Sequence, residues 1–160
     1  MTKDQMEVLF TSWRNQAHPP QSKTTHSLPL SDQGQHNTAT KNANTQNRYT
    51  ELTHIFQNLT YALQEENVAI AHEIPSHLIA CVIWHIPDQH LREETYFDAV
   101  KDSILYLHHK TQRDDRCNTW IDINTNSLLF HTGAPYSRES LHAYLTTAWT
   151  SLGFSASFLG

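Results

Sequence analysis

The sequence predicts an α+β fold of the α/β sandwich-like kind, with a mixed sheet of about four to five strands and three flanking helices. A disordered tether and a short N-terminal helix are predicted to precede this domain. Two observations support the predicted fold class. The first is a nearly continuous apolar run over 78–86, placed between Pro75 and Pro87, which favours a strand buried on both faces. The other is helical spacing of apolar residues on both sides of that run.

The helical spacing predicts three helices in the folded part. Their expected ranges are 49–66, a long helix from Asp88 or Thr95 to about Lys110, and a last helix from Ser137 to Gly153. Asp, Thr and Ser are favoured N-cap residues, and glycine commonly follows the last turn of a helix.

The strands are expected between these helices. Their predicted ranges are 68–74, 78–86, a hairpin of 117–123 with 127–132, and an edge strand over 154–158. The first hairpin strand alternates apolar and polar residues, and an Asn-Thr-Asn turn follows it.

The N-terminal third differs in composition. Residues 1–14 carry an apolar stripe at helical spacing, but a helix of that length is marginal in water unless it packs on a surface. Residues 15–48 are almost entirely polar and predict a disordered linker, because they bury too little apolar surface to offset their ordering entropy. We therefore divide the chain into a docking helix at 1–14, a linker at 15–48 and one domain at 49–160.

Charge and cysteine content restrict the classes of partner. Residues 49–160 hold six Lys/Arg against thirteen Asp/Glu, and residues 1–48 hold five against three. The excess of acidic residues in 49–160 disfavours sequence-specific nucleic-acid binding and favours a protein partner with a basic face. The two cysteines form no zinc or CxxC motif, and no apolar stretch suits a bilayer, so we expect reduced thiols, no membrane contact and a cytoplasmic location.

Catalytic and cofactor motifs are weak. The weak candidates for a metal or acid–base cluster are His72, His77, His85 and His90. Their spacing does not fit HExxH, and we predict no metal site. Asp122, His131 and Ser137 could form a triad, although helix capping already explains the serine. Only four glycines are present, and none forms a phosphate-binding loop, so we expect no cofactor and no enzymatic activity.

Several short stretches resemble the psi subunit of bacterial DNA polymerase III. Residues 8–14 (Val-Leu-Phe-Thr-Ser-Trp-Arg) are similar to the N-terminal peptide of that family, and Ile74-Pro75, Ile86-Pro87 and the Cys117-Asn-Thr-Trp stretch look like counterparts in its domain. The resemblance implies a clamp-loader role in DNA replication, with Phe10 and Trp13 docking on the clamp loader and the α/β domain binding a second subunit.

The leading functional hypothesis is a non-enzymatic adaptor that binds one protein through its N-terminal helix and another through its acidic domain. The expected partner-binding residues are Met6, Leu9, Phe10, Trp13 and Arg14. Tryptophan is a preferred anchor at interfaces, although the same stripe could pack on the chain's own domain. The alternatives are a small acidic immunity protein, an antitoxin or a secretion chaperone, and then an enzyme that uses the histidines.

Overall fold

The computed structural model describes residues 1–16 and 30–159, and within these ranges the chain is helical. Seven α-helices occur in the described ranges: Lys3–Trp13 (α1), Asp32–Thr45 (α2), Arg48–Glu65 (α3), Ser76–Trp84 (α4), Asp88–Leu91 (α5), Tyr96–Thr111 (α6) and Arg138–Ser151 (α7). Short 3₁₀ turns cover Ala69–Glu73, Asp114–Arg116 and Ala156–Leu159. The predicted α+β fold is therefore wrong, because the described ranges contain a single isolated bridge, Ile121 to Leu128, and no strand.

Helix α3 lies at the centre of the fold. It packs against α1, α2 and α4, while α6 packs against α1, α5 and α7. The apolar face of α3 is buried, with Leu52 and Ile55 fully inaccessible. One continuous core joins α1, α3, α4, α5, α6 and α7, and α2 contributes no apolar side chain to it. No helix of the described chain combines the length and the apolar character that crossing a bilayer requires.

The apolar run predicted as a buried strand is helix α4. Leu78, Ile79, Cys81, Val82 and Ile83 are all buried, so the helix is covered on most of its circumference. A short run buried on all sides shows no polar face, and its periodicity cannot separate a strand from a helix. Pro75 occupies the N-cap position, where its missing N–H costs nothing.

The other predicted strands are also replaced. A 3₁₀ turn occupies most of the 68–74 range, and another lies over the tail at 154–158. The predicted hairpin is reduced to a tight turn, in which the N–H of Asp122 donates to Ser127 O over 2.8 Å and that of Leu129 donates to Trp120 O over 2.8 Å.

The predicted helices in the folded part are present. Thr95 caps α6 by accepting from the N–H of Asp98, and Ser137 caps α7 by accepting from that of Ser140. Gly153 follows α7 with φ of +87°, the left-handed conformation that glycine adopts easily. The predicted long helix is divided, since α5 ends at Leu91 and α6 begins at Tyr96.

Two helices occupy the N-terminal third. Helix α1 is capped by Thr2, and it buries Met6 and Phe10 in the common core. Helix α2 lies within the stretch predicted as a disordered linker. Its N-cap is Ser31, whose hydroxyl accepts from the N–H of Gly34. Residues 17–29 of that stretch lie outside the described residues.

Candidate functional site

A polar cleft of about 260 Å³ opens between α2 and the segment that joins α4 to α5. Its lining residues are His36, Asn37, Thr40, Lys41, Asn44, Trp84 and Asp88. The ammonium group of Lys41 lies 2.7 Å from Asp88 Oδ1 and donates to Ile86 O over 2.6 Å. This ion pair fixes α2 against the start of α5.

Helix α2 is held in place along its length. The indole N–H of Trp84 donates to Asn37 O over 3.1 Å, and Arg92 donates to Asn44 O over 2.8 Å at the far end. At its start, a Cβ on Gly34 would collide with the side chain of Asn124. The absence of a side chain at this position therefore lets the helix approach the 122–126 turn closely.

The cleft offers uncharged polar groups rather than free charge. His36, Thr40 and Asn44 are exposed, and Trp84 is half-buried beside them. Among the lining residues Lys41 is the only lysine or arginine. Its ammonium group is already paired with Asp88 and hydrogen-bonded to the carbonyl of Ile86. The arrangement suits hydrogen bonding to a planar, polar ring better than binding of a phosphate group.

The four candidate histidines do not converge. His72 is exposed on a 3₁₀ turn, and His90 lies 4.0 Å from Asp102. His85 stacks on Trp120 with ring centroids 5.0 Å apart, and burial lowers its pKa to about 4. His77 contacts Asp122 and Cys81, a group that the sequence did not indicate.

The possible triad does not form. Ser137 caps α7, His131 is exposed and contacts Thr132 O, and Asp122 is bonded to His77 instead. These three residues therefore have separate structural roles.

The predicted partner-binding residues lie on α1 and at its end. Met6 and Phe10 are buried in the chain's own core, whereas Leu9 and Trp13 are partly covered. Arg14 donates to the hydroxyl of Tyr96 over 2.8 Å. The chain itself thus covers most of the stripe that was predicted to dock elsewhere.

Comparison with known families identifies the helical unit. Residues 36–153 match the sequence model described as the cGAS/DncV-like nucleotidyltransferase C-terminal helical domain. The chain belongs to this family. The all-helical architecture agrees with that description, and the match begins within α2, at the first residue that lines the cleft.

Curated relatives of this helical domain are synthases. The chain is 28% identical over 119 residues to the cyclic dipyrimidine nucleotide synthase CdnE of Cecembia lonarensis, covering 74% of the chain and 40% of that protein. It is 28% identical over 132 residues to the protein of the same name from Legionella pneumophila, covering 82% and 43%. The chain thus spans about two fifths of the length of these relatives.

A solved structure shares the fold of the helical domain. The Elizabethkingia meningoseptica CdnE cyclic dinucleotide synthase with GTP and Apcpp matches with a TM-score of 0.69 and 18% identity. The match covers 76% of this chain and 44% of that one.

These findings overturn the functional expectations. The resemblance to a polymerase psi subunit is wrong, because the family match covers most of the chain and the resemblance covered only short stretches. The predictions of a non-enzymatic adaptor, of a protein partner and of a role in DNA replication are wrong too, because the relatives are nucleotide-handling enzymes. The adaptor hypothesis was drawn from residues such as Phe10 and Trp13, but an amphipathic helix has the same pattern whether it docks on its own core or on a partner.

Sequence reasoning missed the cleft because its α2 residues fall in a polar stretch. One signal was available, as Ser31 followed by Asp32 is a favoured helix start with an acidic first turn. The lining residues themselves are ordinary polar side chains whose proximity to Trp84 depends on the fold.

Proposed function

We propose that the chain serves as the helical lobe of a cyclic dinucleotide synthase and that its α2 cleft contacts a nucleobase of the substrate. The observation that carries the proposal is the family match over residues 36–153, together with two relatives named as cyclic dipyrimidine nucleotide synthases. The substrates would accordingly be pyrimidine nucleotides, and the reaction would join two of them into a ring.

The chemistry of the cleft supports contact with a base. Asn44 and Thr40 offer donors and acceptors of the kind that hydrogen-bond to base edges, and Trp84 supplies an aromatic surface. At about 260 Å³ the cleft lies just below the usual range of about 300–1,000 Å³ for small-molecule sites. It would therefore form one wall of a site that a second surface completes.

Nucleoside binding tests the cleft directly. The full chain, labelled with ¹⁵N, is titrated with uridine or cytidine, and we expect shift changes to concentrate at His36, Thr40 and Asn44. Asn44→Ala should weaken binding several-fold by removing a hydrogen-bonding side chain. Asn118→Ala, at an exposed position outside the cleft, should leave it unchanged. Equal effects of the two variants, or changes that map elsewhere, would reject the cleft as the base site.

Product formation tests the enzymatic role. Residues 36–153 of this chain replace the matching segment of the Legionella pneumophila relative, and the cyclic dinucleotide made by this chimaera is measured by chromatography. We expect product from the chimaera, less of it with Asn44→Ala and an undiminished amount with Asn118→Ala. A chimaera that folds, as judged by its circular dichroism, yet makes no product under conditions where the parent does would contradict the role as a synthase lobe.

A cytoplasmic location belongs to the same proposal. It is supported by the two buried cysteines, Cys81 and Cys117, which are free rather than joined in a disulfide.

A further inference from the structure

Three metal-binding side chains meet at one point on the side of α4, apart from the cleft. The donor atoms of His77, Cys81 and Asp122 all lie within 4.8 Å of one another. We propose that these three residues form a binding site for a single Zn²⁺ ion, with its fourth coordination position open to solvent. The inference does not rest on the proposed enzymatic function.

The backbone explains why the three side chains converge. His77 and Cys81 are four residues apart on α4, which places them on the same face of the helix. Asp122 comes from the tight turn, where its Oδ1 also accepts from the N–H of Asn124 over 2.8 Å. Two of the ligands therefore stand on a rigid helix, and the third is fixed by its own turn.

The distances suit a tetrahedral ion. His77 Nε2 lies 3.0 Å from Asp122 Oδ2 and 3.4 Å from Cys81 Sγ. Zinc bonds of about 2.0–2.3 Å at tetrahedral angles separate neighbouring ligand atoms by roughly 3.3–3.7 Å. Small side-chain rotations would bring these ligands to that spacing, and thiolate, imidazole and carboxylate are the ligand types that Zn²⁺ uses.

The Nε2 atom of His77 cannot form a hydrogen bond with both of its neighbours in the cluster at once. A single imidazole nitrogen, Nε2 of His77, faces both the carboxylate and the thiol. If Nε2 carries a proton, it can donate to Asp122 but cannot accept from the thiol; if it carries none, the opposite holds. A metal ion accepts lone pairs from all three groups at once and removes this conflict.

The surroundings of the cluster provide both support and access. Burial raises the pKa of the Cys81 thiol to about 12, and the backbone of Ile123, which hydrogen-bonds to the sulfur, opposes that shift. Tyr136 is hydrogen-bonded to Asp122. Such outer partners orient ligands in known metal sites. The side chains of His77 and Asp122 are 36% and 19% exposed, which leaves an entry route for a hydrated ion. One thiolate and one carboxylate would balance the charge of Zn²⁺.

Cobalt substitution tests the site on the full chain. Co²⁺ bound to a thiolate shows a near-ultraviolet charge-transfer band, and we expect this band at one equivalent of Co²⁺ together with displacement by Zn²⁺. Cys81→Ser should abolish the band, while His77→Gln and Asp122→Asn should weaken Zn²⁺ binding by more than about tenfold. Cys117→Ser is the matched control, because it removes the other buried free cysteine and should behave like the unaltered chain.

Two readouts keep the test independent of variant folding. In the unaltered chain, Zn²⁺ should shift the ring nitrogen signals of His77 and leave those of the exposed His72 unchanged. Zn²⁺ should also raise the thermal unfolding midpoint of the unaltered chain and of Cys117→Ser, since the ion would join α4 to the turn. Absence of the cobalt band, its survival in Cys81→Ser, or equal shifts at both histidines would overturn the proposal.

Discussion

His85 shows how a single buried side chain can make stability depend on pH. Its ring stacks on Trp120, and its Nε2 accepts from the backbone N–H of Ile121 over 3.0 Å. Burial lowers its pKa from 6.5 to about 4, and the nearby charge of Lys41 adds to this effect. The folded chain therefore holds the imidazole neutral where the unfolded chain would protonate it.

We expect the free energy of unfolding to fall as the pH is lowered from about 6.5 to about 4. Above this window the ring is neutral in both states. Within it only the unfolded chain takes up the proton, which lowers the free energy of unfolding by roughly 2–3 kcal/mol. Urea midpoints at several pH values measure this loss. His85→Gln, which keeps an acceptor for Ile121, should show a shallower decline than the unaltered chain, while His72→Gln at an exposed position should not.

Two further histidines contribute in the same direction, so the decline in His85→Gln should be reduced rather than removed. Burial lowers the pKa of His108 and of His142, whose rings lie 4.2 Å apart between α6 and α7. An unchanged pH dependence in His85→Gln would show that its buried ring is not held neutral in solution.

The roles of residues that contact their sequence neighbours could be predicted, whereas contacts between residues far apart in the sequence could not. Thr95 and Ser137 cap helices in the structure as the sequence indicates, because capping involves only the next few residues. The contact of His77 with Asp122 joins positions 45 residues apart. Nothing in the local sequence pattern specifies such a pair.

Helix α1 is a structural part of the domain. Phe10 is fully buried, and the carboxylate of Glu7 accepts from the backbone N–H groups of Tyr96 and Phe97 at the start of α6, over 3.1 and 2.6 Å. A carboxylate at a helix N-terminus satisfies donors that lack partners within the helix and interacts favourably with its dipole. One short helix thus contributes both to the core and to the cap of another helix.

We expect Phe10→Ala to lower the free energy of unfolding by about 3–5 kcal/mol, the usual cost of removing a buried phenyl ring. Urea unfolding followed by circular dichroism gives the value. Val8→Ala is the matched control on the same helix, because Val8 is 71% exposed and its truncation should change stability very little. If both variants were equally stable, α1 would not be packed on the core in solution.

The prediction of individual elements was limited by the patterns that each presents. Helices α3, α6 and α7 have one apolar and one polar face, so their spacing identifies them. Helix α4 is covered on most sides and has the Ile and Val content of a strand, which led to the wrong fold class. Helix α2 is polar on nearly every side and is held by hydrogen bonds from Trp84 and Arg92, so no hydrophobic pattern marks it.

At the scale of the whole molecule, net charge bears on the proposed contact with a nucleotide. The formal net charge is −5 at neutral pH, and Lys41, the single lysine or arginine among the described residues that line the cleft, is paired with Asp88. A triphosphate brings several further negative charges, so its phosphates are repelled by the overall field of the protein. Under the proposed function, contact with the base would therefore be the favoured interaction.

We therefore expect the chain by itself to bind uridine at least as tightly as UTP. The difference should be larger at about 0.01 M salt, where the Debye length is about 30 Å, than at about 0.1 M, where it is about 10 Å, because salt screens the repulsion. Titration calorimetry or NMR shifts give both affinities. Asn118→Ala should reproduce the salt dependence of the unaltered chain, since it alters no charge. Tighter binding of UTP that weakens with added salt would instead indicate attraction to the phosphates and would exclude a base-only contact.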